Sequence, residues 1–189
     1  KGDPYILTVS HFYRYKNFEQ LINAYSTLGP EIRNQYRLKI VGKFYDKEYV
    51  KELELLGKSL GVLDRVDFIP GLYGDELHEI YLSATLFVFT SLVENSPNIL
   101  LEAMSFGIPI ISIKNDPMPE FGGNAAVYFN SQDNLDLALK IRNVISDGSL
   151  LVEMGLNATK QSNLFSWDKF TNDVITLCSS VSQSDRDCT

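Results

Sequence analysis

Two short, unbroken apolar runs constrain this chain most: residues 86–90 (LFVFT) and 108–113 (IPIISI). A strand with one wet face alternates apolar and polar side chains, whereas a continuous run needs cover on both faces. Both runs are too short for an ordinary helix, and segments of helical period lie around them. Residues 18–28 place Phe18, Leu21, Ile22, Tyr25 and Leu28 at helical spacing, and 47–60 form a charged amphipathic helix that stops at Gly61.

Extended over the chain, the same criteria predict strands at 5–10 (YILTVS), 37–41, 66–69 and 125–129. Helices are predicted at 75–83, 97–106, 134–145, 150–163 and 167–178, the last capped by Ser166. Short buried strands alternating with helices imply a parallel sheet covered on both sides. With right-handed crossovers this is an α/β, doubly wound, Rossmann-like fold. Ligands of such sheets bind at the carboxyl ends of the strands, which directs attention to the loops after Ser10, Gly42, Ile69, Thr90 and Ile113. Residues 1–178 are expected to form one domain and 179–189 a disordered polar tail. The immediate entry from Lys1-Gly2-Asp3-Pro4 into a strand reads as a domain cut from a longer protein.

Composition excludes several functions. The 189 residues carry a formal charge of -7, which disfavours nucleic acid as a partner. Two cysteines, Cys178 and Cys188, make no disulfide framework, and no His or Cys spacing matches a metal site. No apolar run approaches the roughly 20 residues needed to span a bilayer. Gly57-Lys58-Ser59 lacks the earlier glycine of a phosphate-binding loop, since that position is Glu52. The glycosylation-type triplet Asn157-Ala158-Thr159 falls within a predicted helix.

The chemistry concentrates after the fifth strand, in Glu94-Asn95-Ser96-Pro97-Asn98-Ile99-Leu100-Leu101-Glu102. Ser96 reads as an N-cap and Pro97 as the first helical residue. The amides of Asn98 and Ile99 would then face a cleft with the positive end of the helix dipole, a ready diphosphate site. Glu102 lies one turn on, among Leu100, Leu101, Ala103 and Met104, where a merely solvated glutamate is out of place. A carboxylate accepts two hydrogen bonds from vicinal hydroxyls, which suits Glu102 to a ribose and Glu94 to a sugar.

Glu94 and Glu102 are separated by seven residues within ENSPNILLEAMSFGIPIIS. This string resembles the E-x7-E region of family 4 of the retaining glycosyltransferases, in the C-terminal, donor-binding domain of the GT-B fold. The resemblance runs from Tyr5 to about Cys178. It implies that Glu102 binds the nucleotide ribose, that Glu94 contacts the donor sugar, and that Asn98 and Ile99 meet the diphosphate beside Ser96 and Pro97. The family's Gly-Phe-Gly is Asn95-Ser96-Pro97 here.

In the loop after the first strand the family places an Arg five residues before a Lys. Lys16 matches the Lys; the Arg position holds His11, with Arg14 nearby as an alternative cation. Gly71 and Leu72, after the third strand, are expected against the base, and Gly42 leaves room for ligand or closes a tight turn. Glu94, Lys16 and Arg14 are thus the catalytic candidates.

The resemblance implies a hexosyl transfer from a UDP- or GDP-sugar, without metal or cofactor, to a glycan or lipid-linked acceptor in polysaccharide or glycolipid synthesis. The acceptor would be brought by an N-terminal domain without which this part is inactive. The expected setting is the cytoplasm, with peripheral contact to the inner face of the membrane. Two other readings stay open: a catalytically inactive module that binds a nucleotide sugar, and an α/β interaction domain.

Overall fold

The computed structural model describes residues 3–184. Six strands form one parallel sheet in the order β3-β2-β1-β4-β5-β6. These are β1 (Tyr5–Val9), β2 (Arg37–Val41), β3 (Val66–Ile69), β4 (Leu86–Phe89), β5 (Ile110–Ile113) and β6 (Ala126–Phe129). The helices are α1 (Phe18–Thr27), α2 (Pro30–Gln35), α3 (Lys47–Ser59), α4 (Gly74–Leu82), α5 (Asn98–Ser105), α6 (Met118–Gly122), α7 (Asn134–Ile145), α8 (Gly148–Ser162) and α9 (Trp167–Ser184). The predicted α/β doubly wound sheet is therefore present.

The apolar runs behave as their composition requires. Every residue of β4 and β5 is buried. β1 is equally buried and pairs with β2 on one side and β4 on the other. The order reverses between β1 and β4, so the connections change faces there: α1 packs with α3 and α7, and α5 with α6 and α8. Ligands of doubly wound sheets bind beside such a switch point, at the carboxyl ends of the strands.

Two short helices, α2 and α6, interrupt segments expected to be loops. Both have proline in the first turn, where its missing N–H costs nothing. The chain's last helix also departs from expectation. α9 continues through Ser184 instead of ending near Cys178, so residues 179–184 of the expected tail are helical and 185–189 lie outside the described residues. Ser166 Oγ accepts the Lys169 amide at 3.1 Å, as the expected cap does. Along α9, residues 168–179 are all exposed, Phe170, Val174 and Ile175 among them. Among the described residues no helix is long and apolar enough to cross a membrane.

Candidate functional site

The loop after β1 is shaped before it is used. Arg14–Lys16 make a single 3-10 turn, and Asn17 follows in the left-handed region at φ 55°. Asparagine tolerates that region, and here it redirects the chain straight into α1. Across the switch point, Thr90 Oγ1 donates to the Lys16 carbonyl at 2.7 Å, and the Leu92 amide donates to the Tyr15 carbonyl at 2.8 Å. The loops after β1 and β4 are thereby stitched together.

This stitching places Lys16 beside Glu94. Lys16 Nζ donates to Glu94 Oε1 at 2.6 Å, with side chains only 10% and 15% exposed. Lys16 Nζ also lies 4.7 Å from the centre of the Tyr15 ring. Residues 78 apart in sequence thus form a nearly dry ion pair at the mouth of the crevice.

The crevice itself is a cavity of ≈ 270 Å³ at the carboxyl ends of β1, β2 and β3. Lys16, His11 and Tyr15 enter it from the first loop, Gly42 and Gly71–Leu72–Tyr73 from the next two, and Ile99 and Glu102 from α5. Gly42 is required: a Cβ there would sit 1.8 Å from the Ser10 carbonyl oxygen. A wider groove of ≈ 850 Å³ runs along α4, lined by Tyr5, Arg37, Lys39 and Asp67. It does not sit at the carboxyl ends of the strands, and its two cations are already engaged. Arg37 grips Asp67 at 2.8 and 2.5 Å, and Lys39 rests 3.9 Å above the Tyr5 ring.

α5 begins differently from its predicted form. Asn98 is its first residue and Pro97, at φ -80° and ψ 64°, occupies the N-cap with no side-chain cap bond. Ser96 is therefore not the cap. Its hydroxyl donates to Asn98 Oδ1 at 3.2 Å, and the Asn98 amide turns back to the Ser96 carbonyl at 2.9 Å. Leu100 and Leu101 donate to the Pro97 carbonyl. Of the two predicted amides, Asn98 is thus engaged locally and Ile99 lines the cavity. By contrast, Asp46, Asp133 and Asp147 cap α3, α7 and α8 with carboxylates. The buried Leu100, Ala103 and Met104 anchor α5 to the sheet; burying side chains the size of Leu100 and Met104 contributes about 1.5–3 kcal/mol each.

Glu102 sits in the second turn, half-buried, where Tyr81 Oη donates to its Oε2 at 3.1 Å. Sequence reasoning missed Tyr81: it lies 21 residues away, and no local pattern couples it to Glu102. Tyr73 and Thr90 were likewise not singled out, although each borders or braces the site.

The two candidate replacements for an arginine separate clearly. Arg14 does not line the cavity. It makes a fork to Glu52 at 2.6 and 2.9 Å, adds Asp46 at 3.5 Å, and lies over the Tyr49 ring. These partners hold its guanidinium firmly charged, chiefly through the Glu52 hydrogen bond. His11 does line the cavity. Its pKa is depressed below the ordinary 6.5, first by desolvation and then by Lys43 and Lys16. Its Nδ1 accepts the Lys43 amide at 3.4 Å, so the neutral ring carries its proton on Nε2. Among the described residues no three His, Cys, Asp or Glu side chains gather as metal ligands would.

What the arrangement can do follows from these contacts. A cation, a neutral donor and a helix N-terminus border one cavity, with a carboxylate at each end of the loop–helix segment. That set suits an anionic ligand bearing hydroxyl groups.

Comparison with known proteins shows the family and the fold. The description of glycosyl transferases group 1 matches residues 1–161. Serotype-specific mannosyltransferase WbdA of Escherichia coli is 31% identical over 166 residues, covering 87% of this chain and 20% of that protein. Sucrose-phosphate synthase of Thermosynechococcus elongatus superposes with a TM-score of 0.82 at 24% identity, over 96% of this chain and 46% of that one. Anabaena HepE, solved with UDP-glucose, gives 0.81 at 23% identity, over 94% and 48%. The chain therefore spans less than half the length of these proteins.

Proposed function

The chain belongs to the glycosyl transferases group 1, and on that premise we propose that it is the donor-binding half of a retaining, family 4 glycosyltransferase that uses a nucleoside-diphosphate sugar. One observation carries this reading: Lys16, His11, the start of α5 and Glu102 border a single cavity at the carboxyl ends of the strands.

In this reading the base lies over Gly42 and against Gly71–Leu72, where the backbone comes close. The ribose hydroxyls donate to Glu102. The diphosphate rests on the Ile99 amide and the positive end of α5, within reach of Lys16 and of the neutral His11 Nε2–H. The structure of the similar HepE with UDP-glucose supports a ligand of this class.

The Lys16–Glu94 pair gives the site a resting state. A nearly buried ion pair is tolerated because each charge satisfies the other. When a diphosphate arrives, Lys16 exchanges the carboxylate for phosphate oxygens and Glu94 becomes free to accept hydrogen bonds from the donor sugar. The bond between the anomeric carbon and the phosphate oxygen then breaks, and its electron pair stays on the diphosphate. Lys16 and the α5 N-terminus stabilise that charge, chemistry that needs no metal in this reading. The acceptor hydroxyl bonds the anomeric carbon, and its proton passes to the departing diphosphate oxygen.

The acceptor in this reading is a glycan or lipid-linked chain, presented by a part of the protein that lies outside this domain, in polysaccharide or glycolipid synthesis; similarity to the O-antigen chain mannosyltransferase B of Escherichia coli supports that setting. Closure between the two parts limits access of water to the donor.

Lys16→Ala tests the reading. A charge-assisted hydrogen bond contributes about 1.5–3 kcal/mol, a loss of roughly 10–150-fold in affinity. The expected loss falls on UDP, GDP or their sugars and spares the free nucleoside, as titration calorimetry measures. Equal loss for nucleoside and diphosphate would remove Lys16 from the phosphate site.

A further inference from the structure

Resting on the assignment of Glu102 to the ribose, we infer that Tyr81 is a positioning residue: it fixes the Glu102 carboxylate so that the site prefers a ribonucleotide over its deoxy forms. Glu102 alone is poorly suited to that preference. It is half-buried at the edge of the cavity, and a glutamate side chain there has three rotatable bonds and open water beside it. Two vicinal hydroxyls need two acceptor positions held still together.

Tyr81 supplies the fixed point. It is completely buried on α4, and its ring stacks on Phe106 at 4.9 Å with planes 14° apart. Phe87 of β4 closes on it at 6.2 Å. The ring therefore has no freedom to swing, and its hydroxyl reaches Glu102 Oε2 at 3.1 Å. Burial, and then the adjacent carboxylate, push the phenol well above its usual range, so it remains a donor across working pH. A donor on one oxygen leaves Oε1 and the second lone pair of Oε2 to accept from a ligand. The bond also joins α4 to α5, so the carboxylate is positioned from outside its own helix.

The test compares UDP with 2′-deoxy-UDP and 2′,3′-dideoxy-UDP by titration calorimetry on the full chain, using the guanosine series if UDP does not bind. The wild-type protein is expected to favour UDP over the dideoxy form by tenfold or more. Tyr81→Phe keeps the ring and removes only the hydroxyl. It is expected to weaken UDP about 5–10-fold while leaving the dideoxy form within twofold, which also shows that the variant is folded. An unchanged preference, or an equal loss for both ligands, overturns the positioning role. If Tyr81→Phe gives too little folded protein, Phe106→Leu loosens the ring with the hydroxyl in place. It should erode the preference in the same direction, and an intact preference overturns the proposal.

Glu102→Ala separates this inference from the reading beneath it. Should the wild-type protein not discriminate, or Glu102→Ala leave discrimination intact, the ribose assignment itself fails. Should Glu102→Ala abolish discrimination while Tyr81→Phe preserves it, only the role of Tyr81 fails. In the Glu102→Ala background, Tyr81→Phe should add no further loss.

Discussion

At the scale of single residues, the site is a matter of which charges are free. Arg14 is committed to Glu52 and Asp46, so it has little to offer a ligand, whereas Lys16 holds a partner of the kind a diphosphate can replace. His11 adds a pH dependence whose sign can be worked out. Desolvation, then Lys43 and Lys16, hold it below 6.5 in the free protein, so it is neutral at pH 7. A bound diphosphate offsets the two lysines, and the pKa rises in the complex. The complex then binds more protons than the free protein, and affinity strengthens as pH falls through the raised pKa that His11 has in the complex. Calorimetry with UDP-glucose in two buffers of different ionisation heat should detect proton uptake that His11→Gln abolishes. Uptake that persists in the variant would assign it elsewhere. At this scale the sequence was half legible. The spacing of Lys16, Glu94 and Glu102 was visible as a pattern. The direction in which Arg14 turns was not, because its partners come from α3, more than thirty residues on.

Among the elements, α5 matters most, and its position depends on a neighbour. α8 packs against it, and Gly155 of α8 crosses the Gly107 turn so closely that a Cβ would lie 2.4 Å from the Gly107 carbonyl oxygen. Gly155→Ala must push the two apart. Overpacking of this kind costs about 1–3 kcal/mol. At roughly 2–4 °C per kcal/mol for a domain of this size, the melting temperature should fall measurably. A variant as stable as the wild type would mean that α8 shifts without resistance. Periodicity located α1, α3, α7 and α8 because each repeats its apolar face over several turns. It missed α2 and α6, six and five residues long, which are too short to express a period. The cap of α5 was misplaced by one residue for a different reason. Ser-Pro suits an N-cap and first turn in general, but here the backbone of Pro97 lies outside the helical region and the tight turn from Ser96 to Asn98 replaces the cap.

For the whole molecule, the order β3-β2-β1-β4-β5-β6 explains why one crevice can gather parts from across the chain. Its two central neighbours, β1 and β4, are eighty residues apart in sequence, yet their loops carry the cation and the acid. Continuous apolar runs alternating with segments of helical period made this architecture legible, since strands of a parallel sheet are covered on both faces. The dimensions of the cavity were not legible, because they depend on how closely separate loops approach. A ligand that fits should stabilise the folded chain as a unit, by about 2.7 kcal/mol at a hundred times its dissociation constant. A thermal-shift series with UDP, GDP and ADP, against the same bases as nucleosides, should single out one diphosphate. No shift with any of them would favour an interaction domain over a donor site.

The bonds from Thr90 to the Lys16 carbonyl and from Leu92 to the Tyr15 carbonyl have a mechanical consequence. They act as a seam along one wall of the crevice, so that wall yields only if both part together. The exposed Tyr73, on the opposite wall, has no such fastening to the Lys16 loop among the described residues. The seamed side thereby keeps Lys16 and Glu94 in register.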